Sequence, residues 1–310
     1  MKRVRNLTTF PVILLLAAGM ALAQATSQPS QNQQPAAKGQ PQQQPAAGQA
    51  AGQAAAVPAG KRQPQAKTKE EFAAYGALMQ MTDAAAMEKA SDDFVAKYPD
   101  SELKGAVYQR TMAAYQNTGN EDKTVEMGRK ALSYNPDDPG VLVSVAELIA
   151  SRTRETDLDK DQRLAEAIKD AKHGLETVTD FPAPPNMPAE QVAKIKDEMR
   201  ATAYSAMGMA AYTNKNYPDA IANFKQSLDV TKDNPDSTVY LRYSLALDKA
   251  GRYPEALDAV NKTLAIADAP PQVKQLATQE KTRLEKLANA PKPSGAAAPS
   301  SPQPEPVQPH

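Results

Sequence analysis

The stretch Tyr217-Pro218-Asp219-Ala220-Ile221 is repeated 36 residues later as Tyr253-Pro254-Glu255-Ala256-Leu257. In both copies an apolar residue, Phe224 or Val260, follows at the same offset. Proline suits the first turn of a helix, where its missing N–H loses no hydrogen bond, and the acid after it suits the positive end of a helix. The pattern therefore predicts a helix start at each tyrosine and a repeating unit of about 36 residues.

A second helix is predicted before each copy. Apolar and small residues at three- and four-residue spacing run up to Asn214-Lys215-Asn216 in one unit and to Ala250-Gly251-Arg252 in the other. A weaker copy of the same unit spans 101–136, and the capping box of Thr68 and Glu71 predicts the start of another. These patterns predict an all-α fold of antiparallel helix hairpins stacked into a solenoid, with disordered N- and C-terminal tails.

The repeated unit resembles the tetratricopeptide repeat family, whose unit is a pair of antiparallel helices of about 34 residues. The resemblance covers most of 68–268 and is strongest for 199–265. Residues 94–101 are also similar to repeats of exported bacterial envelope proteins. The resemblance implies a curved stack whose concave side is lined by the first helix of each unit. The residues that match the structural signature of the family are Gly208, Tyr217, Ala220, Phe224, Tyr253 and Ala256.

Composition divides the chain into segments. Gln, Pro, Ala and Gly dominate the residues before the repeats, and Pro, Ala and Ser dominate those after them, so neither tail has the apolar residues to form a core. A charged insertion lies within 151–164, and a proline-rich break lies within 179–190. We predict a signal peptide at 1–23, a disordered linker at 24–66, a first repeat lobe at 67–180, a second lobe with a C-terminal capping helix at 188–289, and a disordered tail at 290–310.

The N-terminus has the three parts of a secretory signal peptide. A basic start, Met1-Lys2-Arg3-Val4-Arg5, is followed by an apolar run and by Ala21-Leu22-Ala23. The run is shorter than the ~20 residues that span a bilayer comfortably. We predict cleavage after Ala23 and a periplasmic or secreted protein, and an uncleaved membrane anchor is the alternative.

The composition argues against several kinds of chemistry. The 36 Lys and Arg balance the 36 Asp and Glu, whereas nucleic-acid binding favours a basic excess, and no Cys is present. His173 is the only His of the predicted folded part, and a lone helix His is more often solvated or packed than catalytic. In 157–161 Asp alternates with other residues, but Gln162 replaces the Gly of a calcium loop. We therefore expect no catalytic residue, metal, cofactor or nucleic-acid partner.

The predicted function is that of an exported scaffold that binds a protein or peptide segment in the cell envelope. Its concave helices present amides, arginines and apolar residues, which suit an extended or helical peptide. One alternative is a structural or assembly protein that works mainly through its Gln/Pro-rich tail, and the least favoured is an accessory enzyme subunit. Membrane contact is expected only through an uncleaved signal segment. The resemblance to tetratricopeptide repeats implies that the partner-binding residues are Gln109, Arg110, Gln116, Asn117, Met209, Tyr212, Arg242, Asp248 and Lys249.

Overall fold

The computed structural model describes residues 63–184 and 186–288, and these residues are arranged as α-helices in consecutive hairpins. The predicted all-α fold of stacked helix hairpins is confirmed. The predicted signal peptide, most of the linker, the C-terminal tail and His310 lie outside the described residues. The helices are α1 (Lys69–Met79), α2 (Ala84–Lys97), α3 (Lys104–Asn117), α4 (Glu121–Tyr134), α5 (Pro139–Arg152), α6 (Lys160–Thr177), α7 (Ala189–Thr213), α8 (Tyr217–Val230), α9 (Ser237–Lys249), α10 (Tyr253–Ala265) and α11 (Pro271–Ala288).

Helix starts are set by side-chain caps. Thr68 accepts a hydrogen bond from the Glu71 N–H at 3.1 Å, and Asp138 accepts one from the Val141 N–H at the same distance. Asn216 caps α8 in the same way, directly before the Tyr-Pro sequence that opens this helix. Each cap satisfies one of the N–H groups that the first turn of a helix leaves without a partner. The starts predicted at Tyr217 and Tyr253 are both observed.

Three hairpin turns place one residue in the left-handed region of backbone conformation. Gly119 has a φ of 70°, Gly251 a φ of 74° and Lys215 a φ of 61°. Glycine adopts this conformation without steric cost, whereas a residue with a Cβ adopts it only with steric strain. Lys215 forms an ion pair with Glu155, which lies in the charged insertion between α5 and α6. The turn between α7 and α8 is therefore linked through the Lys215 ammonium group to the loop between α5 and α6.

Small residues let the helices approach closely. A Cβ placed on Gly208 of α7 would lie 2.7 Å from the ring of Phe224 in α8, and one on Gly174 of α6 would lie 2.6 Å from the Val143 side chain in α5. Phe224 is fully buried. The two helices of these hairpins are therefore densely packed. A larger side chain at either glycine would hold the two helices further apart.

The proline-rich segment between α6 and α7 is packed against the repeats on both of its sides. It contains a short 3-10 helix at Val178–Asp180, followed by the buried ring of Phe181. One buried cluster, the first cluster, extends through this segment from Leu78 to Ala206, and a second cluster begins at Ala220 and includes Leu284. The division into two lobes near 180–188 stays a prediction. The boundary between the two buried clusters lies further along the chain, near the C-terminal end of α7.

Within residues 63–184 and 186–288, no helix combines the length and the apolar character that crossing a membrane requires.

Candidate partner-binding face

The first helices of the hairpins meet on one face of the stack. Arg242 of α9 donates from Nη1 to the Glu147 carboxylate of α5 at 2.5 Å and to the Ser205 hydroxyl of α7 at 3.0 Å. The hairpin formed by α7 and α8 lies between the hairpins that contain α5 and α9. A contact between α5 and α9 therefore requires that the stack curves toward this face. We name the side formed by α3, α5, α7 and α9 the inner face.

The second helices form the opposite side, which we name the outer face. Ion pairs connect successive second helices across it. Lys130 of α4 pairs with Asp92 of α2 at 3.1 Å, and Arg129 of α4 pairs with Glu166 of α6 at 2.7 Å. These side chains are between 29% and 53% exposed, so water screens the pairs and each contributes little stability. Their positions show that second helices neighbour second helices throughout the first three hairpins.

The predicted site residues of α3 differ in their environment. Gln109 and Gln116 are half-buried, and Asn117 is exposed at the end of the helix. Arg110 donates from Nη2 to the Met81 carbonyl at 3.1 Å, while its Nε is buried without a hydrogen-bond partner. Arg110 therefore connects α3 to the preceding hairpin turn in addition to being a candidate contact.

The predicted site residues of α7 lie where the two buried clusters meet. Met209 packs against both clusters. Tyr212 packs edge-on against Tyr217, with 5.8 Å between ring centroids. Burial raises the pKa of the Tyr212 hydroxyl, and the neighbouring charges of Asp248 and Glu280 raise it further. Tyr212 also packs against the second cluster, which includes residues of α9 and α11.

The three predicted site residues of α9 have three different roles. Arg242 makes the inner-face bonds to Glu147 and Ser205. Asp248 is buried and forms an ion pair with Arg283 of α11, with 2.6 Å between the carboxylate oxygen and Nη2. Lys249 is exposed and forms no ion pair with the described residues. The structure thus brings Arg242 and Asp248 into intramolecular bonds and leaves Lys249 available to solvent.

Sequence reasoning missed two charged residues of this face, Glu147 and Arg283. Glu147 is 3% exposed, and its Oε2 is buried without a hydrogen-bond partner. Its signal in the sequence is a lone acid within the apolar helix Val141–Ala150. Arg283 lies on α11, the predicted capping helix. Glu280 interrupts the apolar stripe of this helix, and its carboxylate pairs with Arg283 at 2.7 Å.

The signature residues lie at helix contacts. Ala220, Phe224 and Ala256 are fully buried, and Tyr217 and Tyr253 are half-buried at the first positions of α8 and α10. Gly208 lies directly beneath the Phe224 ring, as described above.

Other titratable groups contact one another rather than form a metal site. His173 bonds Asp137 at 2.9 Å through Nε2 and Glu176 at 3.3 Å through Nδ1. Burial lowers the pKa of His173, but the bonds to Glu176 and Asp137 outweigh it and the net pKa is raised. In the charged insertion the Asp157 carboxylate accepts from the Arg154 N–H at 2.8 Å. The described part of the chain contains no group of three His, Cys, Asp or Glu placed to hold a metal ion.

A family model identifies the repeated unit. The model described as "Tetratricopeptide repeat" matches residues 199–269, which include most of α7 and all of α8, α9 and α10. Residues 199–269 are therefore tetratricopeptide repeats. The match begins inside α7, at Met199. It nearly coincides with residues 199–265, for which the resemblance in the sequence is strongest. The three upstream hairpins of this repeat protein have the same helix-turn-helix form but lie outside the matched residues.

Solved structures of other proteins are similar to this chain at low identity. PilW, a widely conserved type IV pilus biogenesis factor, is 16% identical with a TM-score of 0.44, covering 72% of this chain and 94% of its own. Pseudomonas aeruginosa pilF is 15% identical with a TM-score of 0.45, covering 71% and 94%. MamA is 15% identical with a TM-score of 0.39, covering 60% and 88%. No curated protein sequence matches this chain.

Proposed function

We propose that this tetratricopeptide repeat protein is an exported scaffold that binds a protein segment of the cell envelope on its inner face. The observation that carries the proposal is the convergence of α5, α7 and α9 through Arg242, Glu147 and Ser205. This convergence gives the first helices one shared surface, on which half-buried apolar and polar residues lie side by side. Such a surface suits an elongated partner that contacts several hairpins at once.

The inner face combines the side-chain types that protein interfaces use. Met209, Tyr212 and Leu245 are half-buried, so each offers apolar area that a partner can cover. Gln109 and Gln116 offer amide donors and acceptors on α3. Buried apolar anchors with polar groups around them are the usual composition of a specific interface.

Export is proposed from the N-terminal sequence alone. The basic start, the apolar run and Ala21-Leu22-Ala23 support delivery across a membrane and cleavage after Ala23. Cell fractionation followed by mass measurement of the purified protein tests this step. A mature chain that begins at Gln24 in the periplasmic or secreted fraction supports export, and a full-length chain in the cytoplasmic fraction contradicts it.

Site-specific photo-crosslinking in cells tests the inner face directly. A photoreactive residue is introduced at Gln109, Gln116 or Lys249, which are half-buried or exposed on first helices. Matched control positions are Lys89 and Lys262, whose side chains are 79% and 54% exposed on second helices. We expect one defined adduct at the inner positions and not at the controls. Adducts at the control positions alone, or at neither set, would contradict the proposal.

A deletion distinguishes binding on the inner face from the alternative function, which works through the Gln/Pro-rich tail. Removal of 24–62 leaves every described helix unchanged in sequence. The inner-face proposal expects the same adducts after this deletion. Loss of the adducts with unchanged folding would favour the tail as the working part.

A further inference from the structure

The charged insertion between α5 and α6 lies outside the repeated unit, yet its conformation is fixed. Two consecutive turns form it: the Arg154 carbonyl accepts from the Asp157 N–H, and the Asp157 carbonyl accepts from the Lys160 N–H, each at 3.2 Å. The Asp157 carboxylate also accepts from the Arg154 N–H at 2.8 Å. Glu155 pairs with Lys215 in the turn between α7 and α8. The insertion is therefore held by its own turns and by the next hairpin.

This insertion presents a leucine to solvent. Leu158 is the second residue of the turn from Asp157 to Lys160, and its side chain is fully exposed. Among the large apolar residues of the described part of the chain it is the most exposed, and the next, Phe72, is 62% exposed. An apolar side chain at the tip of a fixed loop loses little conformational freedom when a partner covers it. Leu158 is therefore suited to anchor an interface.

An open apolar pocket lies between α1 and α2, in the first described hairpin. Its volume is about 380 Å³, which admits a leucine side chain. Leu78 and Met81 line it from the side of α1, and Phe94 and Tyr98 line it from the side of α2. Ala77 is exposed at its mouth. The same chain thus carries an exposed apolar side chain and a pocket of matching character.

The charges beside the leucine and beside the pocket are complementary. At the pocket, Asp93 pairs with Lys89 at 2.7 Å, whereas Lys97 forms no ion pair with the described residues. At the insertion, 154–161 contains two cations and four acids. Asp159, directly after Leu158, is exposed, and its carboxylate has no partner within residues 63–184 and 186–288. The charge without a partner is positive at the pocket and negative beside Leu158.

A single chain does not bring these two features together. The second hairpin, formed by α3 and α4, lies between the hairpin that contains the pocket and the hairpin that contains the insertion. The pair of Glu155 with Lys215 also holds the insertion toward the fourth hairpin, away from the first. A second copy of the chain supplies the leucine without any change in the fold.

We propose that this protein associates with copies of itself, with Leu158 of one copy inserted into the α1–α2 pocket of the next and Asp159 facing Lys97. The two copies use different surfaces, so the contact repeats and forms open chains or a closed ring. An interface built around one leucine is small, and small interfaces give weak, reversible association. None of the residues of the inner-face proposal takes part, so this inference goes beyond the proposed function and is independent of it.

Analytical ultracentrifugation of the purified protein tests the proposal, at concentrations up to roughly 1 mM to include weak association. We expect the average mass to rise with concentration. Leu158→Asp is expected to weaken the association at least tenfold, because the apolar contact is lost. The matched control is Leu276→Asp, the same exchange at a leucine that is 55% exposed on α11. A protein that is monomeric throughout, or a Leu158→Asp variant that associates like the unchanged chain, would overturn the proposal.

Mixing two blocked variants tests whether the leucine pairs with the pocket. Leu158→Asp leaves the pocket intact, and Ala77→Glu obstructs the pocket and leaves the leucine intact. Each variant alone is expected to be monomeric, and an equimolar mixture is expected to form a dimer with one copy of each. Thermal unfolding by circular dichroism verifies that both variants are folded. A mixture of folded variants that stays monomeric while the unchanged chain associates would show that other surfaces make the contact.

A charge exchange tests the pairing of Asp159 with Lys97. Asp159→Lys and Lys97→Glu each place like charges opposite one another, so each alone is expected to weaken the association several-fold. A chain that carries both changes has opposite charges at the contact again, and its association is expected to recover. Failure to recover in a folded double variant would overturn the proposed pairing.

Deletions test whether another part of the same chain occupies the pocket. Chains that lack 24–62 or 289–310 are expected to associate like the unchanged chain. If either deletion strengthens the association tenfold or more, the deleted residues compete for the pocket, and the proposal is overturned.

Discussion

Arg242 and Glu147 are 95 residues apart in the sequence and form an ion pair of 2.5 Å that passes over α7. We expect Arg242→Ala to lower the free energy of unfolding by about 3 kcal/mol, because a buried carboxylate would lose its partner. The double variant with Glu147→Gln is expected to recover part of this loss. Urea unfolding of the single and double variants measures the coupling, and equal losses in both would contradict it.

The contact of Gly208 with Phe224 predicts a position-specific penalty. Gly208→Ala is expected to destabilise the protein by about 1 to 3 kcal/mol, because the new Cβ would lie 2.7 Å from a fully buried ring. The matched control is Gly76→Ala in α1, where nothing lies within 4 Å of the new Cβ. There the usual gain of roughly 0.5 to 1 kcal/mol for a helix interior is expected. Opposite signs in thermal unfolding support the prediction, and similar effects contradict it.

The left-handed turns predict a pair of reciprocal substitutions. Lys215→Gly is expected to stabilise the fourth hairpin by about 1 kcal/mol, since glycine removes the backbone strain at a φ of 61° and the exposed ion pair with Glu155 that is lost contributes little. Gly251→Ala is expected to destabilise the fifth hairpin by a similar amount, since its φ is 74° and no side chain crowds the position. Chemical denaturation measures both. Stabilisation by Gly251→Ala would show that the turn conformation is not the controlling factor.

His173 predicts a pH dependence of stability. Its folded-state pKa is raised above the ordinary value of 6.5, so its contribution is fully present below 6.5 and is lost as the pH rises through the folded pKa. The melting temperature of the native chain relative to that of His173→Gln is therefore expected to be highest near pH 5 and to converge with it in mildly alkaline buffer. A difference that grows with rising pH would contradict the sign. NMR titration of the His173 ring gives the pKa independently.

Local structure could be predicted from the sequence to a large extent. The Tyr-Pro starts of α8 and α10, the turns before them and the helix start capped by Thr68 are all observed, while the Glu71 carboxylate accepts from the Lys67 N–H rather than from that of Thr68. Each depends on a few adjacent residues, through proline geometry, capping and apolar spacing. These are short-range effects, so a single sequence is sufficient to predict them.

The inner face could be predicted only in part. The helix predicted around Arg242 is observed as α9, but the bond of Arg242 to Glu147 depends on how three hairpins are stacked, and no spacing in the sequence encodes that rotation. The same applies to Asp248, which was predicted as a partner contact and is bonded to Arg283 of α11. Long-range pairs of this kind follow from the accumulated angles between helices, which local patterns do not determine.

The length of α7 has a mechanical consequence. Its residues Val192 and Ala206 belong to the first cluster, and Tyr212 near its C-terminal end packs against the second. One uninterrupted rod of 25 residues therefore crosses from one cluster to the other. A sharp bend of the molecule between them would have to break backbone hydrogen bonds of this rod, which is harder than sliding side chains past each other. The protein is thus expected to behave as a stiff beam rather than as two units on a pivot.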